Sequence, residues 1–350
     1  MKIKTMQAAI LVEQNKPLII DEVELPCGLD FGQVLVQVQC SGICGSQLGE
    51  IGGVKGSDPY LPHLLGHEGS GIVIETGPNV NHVQRGDHVV LHWRPGKGIE
   101  ARTPKYSWQG KTLNAGFVTT FNEYAVVSEN RLTAIPSDFN PEIGALMGCA
   151  VTTGLGVINN NAKVKIGESV VVWGAGGIGL NIVQGAALVS AYPIIAIDLF
   201  DSKLDLAKKM GATHIINGKN PNIEKEILAI IGKSGADIAI DNTGIPEIIA
   251  SAYRITSAKG RTILVGVPRK GEETKIYTLP LHFNKVLTGS HGGESSPELD
   301  IPRYIALYNN QQIMLNELIT QRYKLKQINT AIEDMRNGKI AGRCMIQISE

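Results

Sequence analysis

Residues 170–197 carry no charged side chain over a length that would cross a membrane, and this stretch constrains the fold more than any other. It is not one helix. Gly174, Gly176, Gly177, Gly179, Asn181, Gln184 and Pro193 interrupt it, and it divides into strand, turn, helix and strand. Apolar strands that do not alternate are buried on both faces, so the stretch reads as a βαβ unit inside a parallel sheet rather than as a membrane span. The same alternation continues downstream. After "SVVVWG" (169–174) and "IIAID" (194–198) come a helix through "SKLDLAKKMGA", the strand "THIIN", a helix near 222–233, "ADIAIDNTG", a helix near 246–258, "RTILVGVP" and "KVLTGS". The expected fold class is therefore α/β, with a doubly wound, Rossmann-type parallel-sheet domain over residues 153–291.

Within it, "VVVWGAGGIGL" places Gly174, Gly176 and Gly179 in a G-x-G-x-x-G pattern between strand and helix. The first glycine allows the tight turn, the second lets backbone N–H groups approach a pyrophosphate, and the third permits close helix–strand packing. Gly177 and Ile178 open the helix whose positive dipole end would face the phosphates. Asp198 closes the next strand, where an acid accepts the adenosine-ribose hydroxyls and repels a 2′-phosphate. No arginine follows it, so NAD is expected over NADP.

Residues 1–152 have a different texture. "VLVQVQ" (34–39), "GSGIVIET" (69–76), "GDHVVLHW" (86–93) and "FNEYAVVS" (121–128) read as half-buried strands between turn residues. Residues 94–116 form a lobe too long for a simple connector. Residues 292–350, with helices near 297–310 and 327–337 and the strand "RCMIQIS", are expected to return to this β-rich first domain. Lysine plus arginine balance aspartate plus glutamate at 33 each, so no global field draws nucleic acid or an anionic membrane, and neither is expected as a partner. The first residues show no secretory signal, and five scattered cysteines (27, 40, 44, 149, 344) make no disulfide framework. The expected location is the cytoplasm.

Cys44, His67 and Cys149 carry the chemistry. Two thiolates and one imidazole hold zinc while leaving a fourth position for an alcohol oxygen or water. Each residue alone also fits a core role, and Cys40 in the "VLVQVQC" alternation reads as core. Glu68 adjoins His67 and is expected to be a catalytic acid beside the metal, either supporting the ligands from behind or exchanging onto the ion. Cys149 precedes the coenzyme domain, so a metal there would stand in the interdomain cleft within reach of a nicotinamide.

"SGICGS", "GHEGSG", "GDHV", "GCAVTTG", "GAGGIGL" followed by Asp198, and "LVGVP" occur in order along essentially the whole chain. Together they resemble the zinc-dependent alcohol dehydrogenases of the medium-chain dehydrogenase/reductase superfamily. The resemblance implies a GroES-like catalytic domain and one catalytic zinc on Cys44, His67 and Cys149. It implies Ser46 as the hydroxyl that takes the substrate proton and Trp93 as a pocket aromatic. Thr153, Val265 and Val267 are implied as coenzyme contacts, as are Asp198 and Lys203 at the adenosine ribose. Arg343 in "GKIAGRCMI" is implied at the pyrophosphate. Relatives commonly form homodimers or homotetramers.

Three departures from the family stand out. Relatives often bind a structural zinc on four cysteines in the lobe after "GDHV". Here that lobe has none, so no structural zinc is expected, and packing of Tyr106 and Trp108 is expected to hold it. Many relatives place an aspartate where this chain has Gln47, and often a histidine, serving the proton relay, where it has Gly49. The relay would then end in water, a ribose hydroxyl or Glu50. Polar His92 and the basic lobe favour a secondary alcohol, polyol or sugar-like substrate, with primary alcohols and formaldehyde adducts left open. A non-catalytic NAD-binding relative, or a metal-free reductase on the same fold, would not need the Cys44, Ser46, His67, Cys149 set.

Overall fold

The computed structural model describes residues 3–349, which fall into two compact units. The second unit, Val151–Ser295 with Tyr308–Leu318, is built on a six-stranded sheet. Its spatial order is His214–Asn217, Ile194–Asp198, Val170–Trp173, Ala236–Asp241, Thr256–Leu264 and Val286–Gly289, and every pairing is parallel. Chain order reverses between Val170–Trp173 and Ala236–Asp241. In open parallel sheets that crevice, beyond the strand carboxyl ends, is where ligands bind. The four side chains of Val170–Trp173 are all buried, which explains the uncharged run. The helix Gly177–Leu188 follows that strand, and nine of its residues are buried.

The expected boundary needs one correction. Tyr308–Leu318 packs with the sheet unit rather than with the first domain. Its buried Ile313, Leu315 and Leu318 supply the apolar contact, and the Met314 N–H donates to Gln184 Oε1 at 3.0 Å.

The first unit holds a closed barrel of Thr5–Leu11, Ile19–Glu24, Lys105–Trp108, Lys111–Asn114 and His63–Leu64. Beside it lies a sheet in the order Leu132–Ile135, His88–His92, Glu68–Thr76, Gln33–Gly42, Arg343–Gln347 and Ile319–Lys324, with Tyr124–Ser128 also paired to Gln33–Gly42. The last strand, Arg343–Gln347, pairs antiparallel with Gln33–Gly42, Met345 opposite Gly42.

The lobe contains a hairpin, Lys105–Trp108 with Lys111–Asn114. Tyr106 is buried and its hydroxyl accepts the Val126 N–H at 2.8 Å, while Trp108 Nε1 donates to Asp21 at 2.8 Å. The lobe has a second tether. Glu129, 1% exposed, accepts backbone N–H groups from Asn81, His82 and Ile99. Burial alone would raise its pKa, but those three donors outweigh it and hold the carboxyl below its ordinary value. Among the described residues no single helix is long and apolar enough to cross a membrane.

Candidate metal centre and coenzyme site

Cys44 ends the segment leaving Gln33–Gly42 and caps the helix Gly45–Ile51. His67 follows a turn at Gly66, whose φ of +95° and whose absent side chain, which would meet Thr120 Oγ1 at 2.3 Å, both require glycine. Cys149 lies between the helices Pro141–Met147 and Ala150–Gly156. These three elements bring the three ligand atoms within 4.8 Å of one another, and the two sulfurs stand 4.0 Å apart. Two thiolates placed tetrahedrally on zinc at about 2.3 Å each are about 3.8 Å apart, so the donor set fits that ion.

The thiols differ. Hydrogen bonding from Cys149 lowers the Cys44 pKa well below the ordinary value against the cost of burial, with Arg343 and His67 assisting. The same bond raises that of Cys149. Cys40 stays apart, its thiol pushed up to about 12 by burial, as a core residue should be.

Other expected residues gather at this cluster or leave it. Trp93 sets its ring centroid 6.5 Å from that of His67, edge to face. Ser46 is exposed on the Gly45–Ile51 helix, two residues beyond Cys44. Glu68 is wholly buried. Its Oε2 accepts the Ala150 N–H at 3.2 Å and lies 3.4 Å from Arg343 Nη2, so it supports the cluster from within the protein rather than facing substrate. Burial raises its pKa to about 7, with Arg343 opposing.

Arg343 lies in the first unit, 3% exposed, where Nη1 donates to the Ile43 carbonyl at 2.8 Å and the guanidinium pairs with Glu68. One expectation is corrected. His92, expected to line the substrate entrance, is 1% exposed. Its Nδ1–H donates to the Arg94 carbonyl (2.7 Å) and its Nε2 accepts the Thr133 hydroxyl (3.0 Å), so neither nitrogen is open to substrate.

Burial lowers the His92 pKa to about 4. The folded chain then keeps this ring neutral while the unfolded chain protonates it near the ordinary value of about 6.5. Stability is therefore lost as pH falls from about 6.5 toward 4, by about 3 kcal/mol for this group. Urea midpoints at pH 5 and pH 7 should differ less in His92→Gln than in the parent. An equal difference would remove His92 from the acid response.

In the second unit the glycine turn joins Val170–Trp173 to Gly177–Leu188. A side chain on Gly179 would approach the Gly174 carbonyl to 1.8 Å, the close packing expected of the third glycine. One on Gly176 would enter open space, the volume a pyrophosphate needs. Asp198 grips this turn, Oδ2 accepting the Ala175 N–H at 2.8 Å and Oδ1 the Phe200 N–H at 3.1 Å. The Lys203 ammonium lies 5.1 Å from the Phe200 ring centroid. Thr153 is buried, and among the described residues its hydroxyl has no hydrogen-bond partner. Val265, whose N–H donates to the Asp241 carbonyl at 2.7 Å, and Val267, 59% exposed, follow the end of Thr256–Leu264.

A Cys2His donor set in the barrel unit and a glycine-turn parallel sheet are the features of a zinc-binding dehydrogenase. Comparison with known proteins agrees. Residues 30–137 match the family model described as alcohol dehydrogenase GroES-like domain, and residues 177–310 that of zinc-binding dehydrogenase. The chain is 34% identical to an S-(hydroxymethyl)glutathione dehydrogenase of Synechocystis, covering 95% of this chain and 97% of that protein. It is 32% identical, with the same coverage, to a class-3 alcohol dehydrogenase of Cereibacter sphaeroides. The crystal structure of benzyl alcohol dehydrogenase from Acinetobacter calcoaceticus superposes with a TM-score of 0.88 at 30% identity, over 99% of this chain and 100% of that one. The chain belongs to the zinc-dependent alcohol dehydrogenases of the medium-chain dehydrogenase/reductase superfamily.

Proposed function

We propose that this protein is an NAD-dependent alcohol dehydrogenase with one catalytic zinc per chain, and the observation that carries the reading is the convergence of Cys44, His67 and Cys149 beside Trp93. Zinc bound there would supply a Lewis acid for the substrate oxygen. Cys44 and Cys149 offer two thiolates, which balance a divalent charge, and His67 offers a neutral nitrogen. Trp93 walls the approach to His67. Ser46 Oγ is placed to accept the alcohol proton and pass on its own, and a nicotinamide bound to the second unit would supply the hydride acceptor. Glu50, one helical turn after Ser46 and 3.9 Å from His63 Nε2, offers an exit for that proton.

Asp198 supports NAD as the coenzyme, because a 2′-phosphate beside its carboxylate would be repelled. With His92 withdrawn from the substrate side, the basic lobe alone favours a polyol or sugar-like secondary alcohol. The named activity of relatives 32–34% identical, S-(hydroxymethyl)glutathione dehydrogenase, supports a second reading, a formaldehyde–thiol adduct. NADH formation with polyols, sugar phosphates, benzyl alcohol and S-(hydroxymethyl)glutathione, each with and without a chelator, separates the two. Activity that survives full zinc removal would sink both.

A homodimer is supported by the edge strand Val286–Gly289, which among the described residues pairs only with Thr256–Leu264 and leaves its other edge open. Nearby Tyr277, Leu279 and Phe283 are 70%, 49% and 65% exposed, an apolar surface of the kind that marks an interface. Sedimentation velocity of a Phe283→Asp, Val286→Lys double variant should show half the parent mass. An unchanged mass would place the interface elsewhere.

A further inference from the structure

Gln47 is 1% exposed, and its amide lies between two of the three metal donors. Oε1 accepts the Cys44 backbone N–H at 2.7 Å, and Nε2 donates to Nδ1 of His67. That second bond requires a lone pair on Nδ1, so the proton of the neutral ring sits on Nε2. Nε2 is the nitrogen left for the cysteine cluster. A metal needs the lone pair there, so loading moves the ring proton to Nδ1, and a second N–H then points at Gln47.

Two N–H donors now face one side chain. A carboxylate has an oxygen for each. An amide has one acceptor oxygen and one NH2 group, so whichever way it is turned it serves only one of them. Gln47 is buried, and the donor left over is unpaired against another donor. In the metal-free tautomer, by contrast, both bonds are made.

We propose that Gln47 is a positioning residue that opposes metal loading. Its amide favours the tautomer of His67 that cannot bind metal and must be re-paired when the metal enters. The site therefore holds its metal more weakly, and exchanges it more readily, than the same site with a carboxylate at position 47. This inference rests on the zinc reading above.

Gln47→Glu keeps the length of the side chain and supplies the missing acceptor. Competition with a chromophoric chelator should show zinc bound tighter by about tenfold to hundredfold, the range over which partners of ligating histidines act. Gln47→Met, which keeps the shape without either hydrogen bond, removes the tautomer bias but supplies no acceptor, so its zinc affinity should rise less than that of Gln47→Glu. In the parent protein with 15N-labelled glutamine, the Gln47 side-chain amide resonances should shift when one equivalent of zinc is added. A folded Gln47→Glu variant with an unchanged zinc Kd would overturn the inference, and so would amide resonances that ignore loading. If Gln47→Glu does not fold, the resonances decide. A parent protein that takes up no stoichiometric zinc would instead overturn the zinc reading itself.

Discussion

Cys44→Ser is expected to lose its metal and at least about a thousandfold in kcat/KM for alcohol oxidation while keeping its fold and its affinity for NADH. The replacement is nearly isosteric at a position only 5% exposed, so packing is preserved. What disappears is a thiolate whose pKa the site already lowers. A serine hydroxyl does not ionise at neutral pH, which leaves one thiolate and one imidazole to balance a dication. Losing Lewis-acid stabilisation worth several kilocalories per mole, at about 1.4 kcal/mol per tenfold in rate, sets the scale. The glycine turn and Asp198 lie in the other unit, so NADH fluorescence enhancement should persist. Cys40→Ser is the control. Its thiol stands in the Gln33–Gly42 strand and takes no part in the donor cluster, so zinc content and rate should stay close to the parent. Mass-spectrometric zinc content beside steady-state rates makes the comparison, and a Cys44→Ser enzyme that still turns over without metal would refute the zinc mechanism.

The difference between Cys40 and Cys44 was readable in the sequence, because local patterning controls it. Cys40 continues a period-two alternation, whereas Cys44 follows it at a glycine-flanked turn. The parallel sheet was readable for the same reason, since apolar strands and helix-period segments follow one another along the chain. Contacts that depend on which face of a strand is buried were not. His92 stands at the end of "HVVLH", and only the folded environment, with the Arg94 carbonyl and the Thr133 hydroxyl at its two nitrogens, reveals that the ring is inward. The pairing of Arg343 with Glu68 spans 275 residues and leaves no local pattern. Glu129 holds the lobe through backbone N–H groups at positions 81, 82 and 99, and backbone donors leave no trace in residue identity. Gln47 was visible as a departure from its relatives. That its amide spans Cys44 and His67 followed only once the helix Gly45–Ile51 had brought position 47 back onto its own cap.

Asp198→Asn is expected to shift the ratio of kcat/KM for NAD over NADP by at least about a hundredfold toward NADP. Two effects act in the same direction. An ionised acceptor contributes about 1.5–3 kcal/mol per hydrogen bond, so weakening the bonds it would make to two ribose hydroxyls of a bound NAD would cost NAD one to two factors of ten. Removing a carboxylate from the place of a 2′-phosphate relieves a like-charge contact that disfavours NADP by several kilocalories per mole. The amide keeps an acceptor for the Phe200 N–H but turns a donor toward the Ala175 N–H, so the glycine turn loosens and KM for both coenzymes rises. That common loss cancels in the ratio, which is why the ratio is the quantity to measure. Asp201→Asn, three residues on and hydrogen-bonded to Asn217 at 2.6 Å, removes a neighbouring charge outside the turn and should leave the ratio within a fewfold of the parent. If both variants move the ratio equally, the selection is made by the general field at the end of this strand. If neither does, the adenosine end is recognised by other residues, and the NAD assignment loses its physical basis.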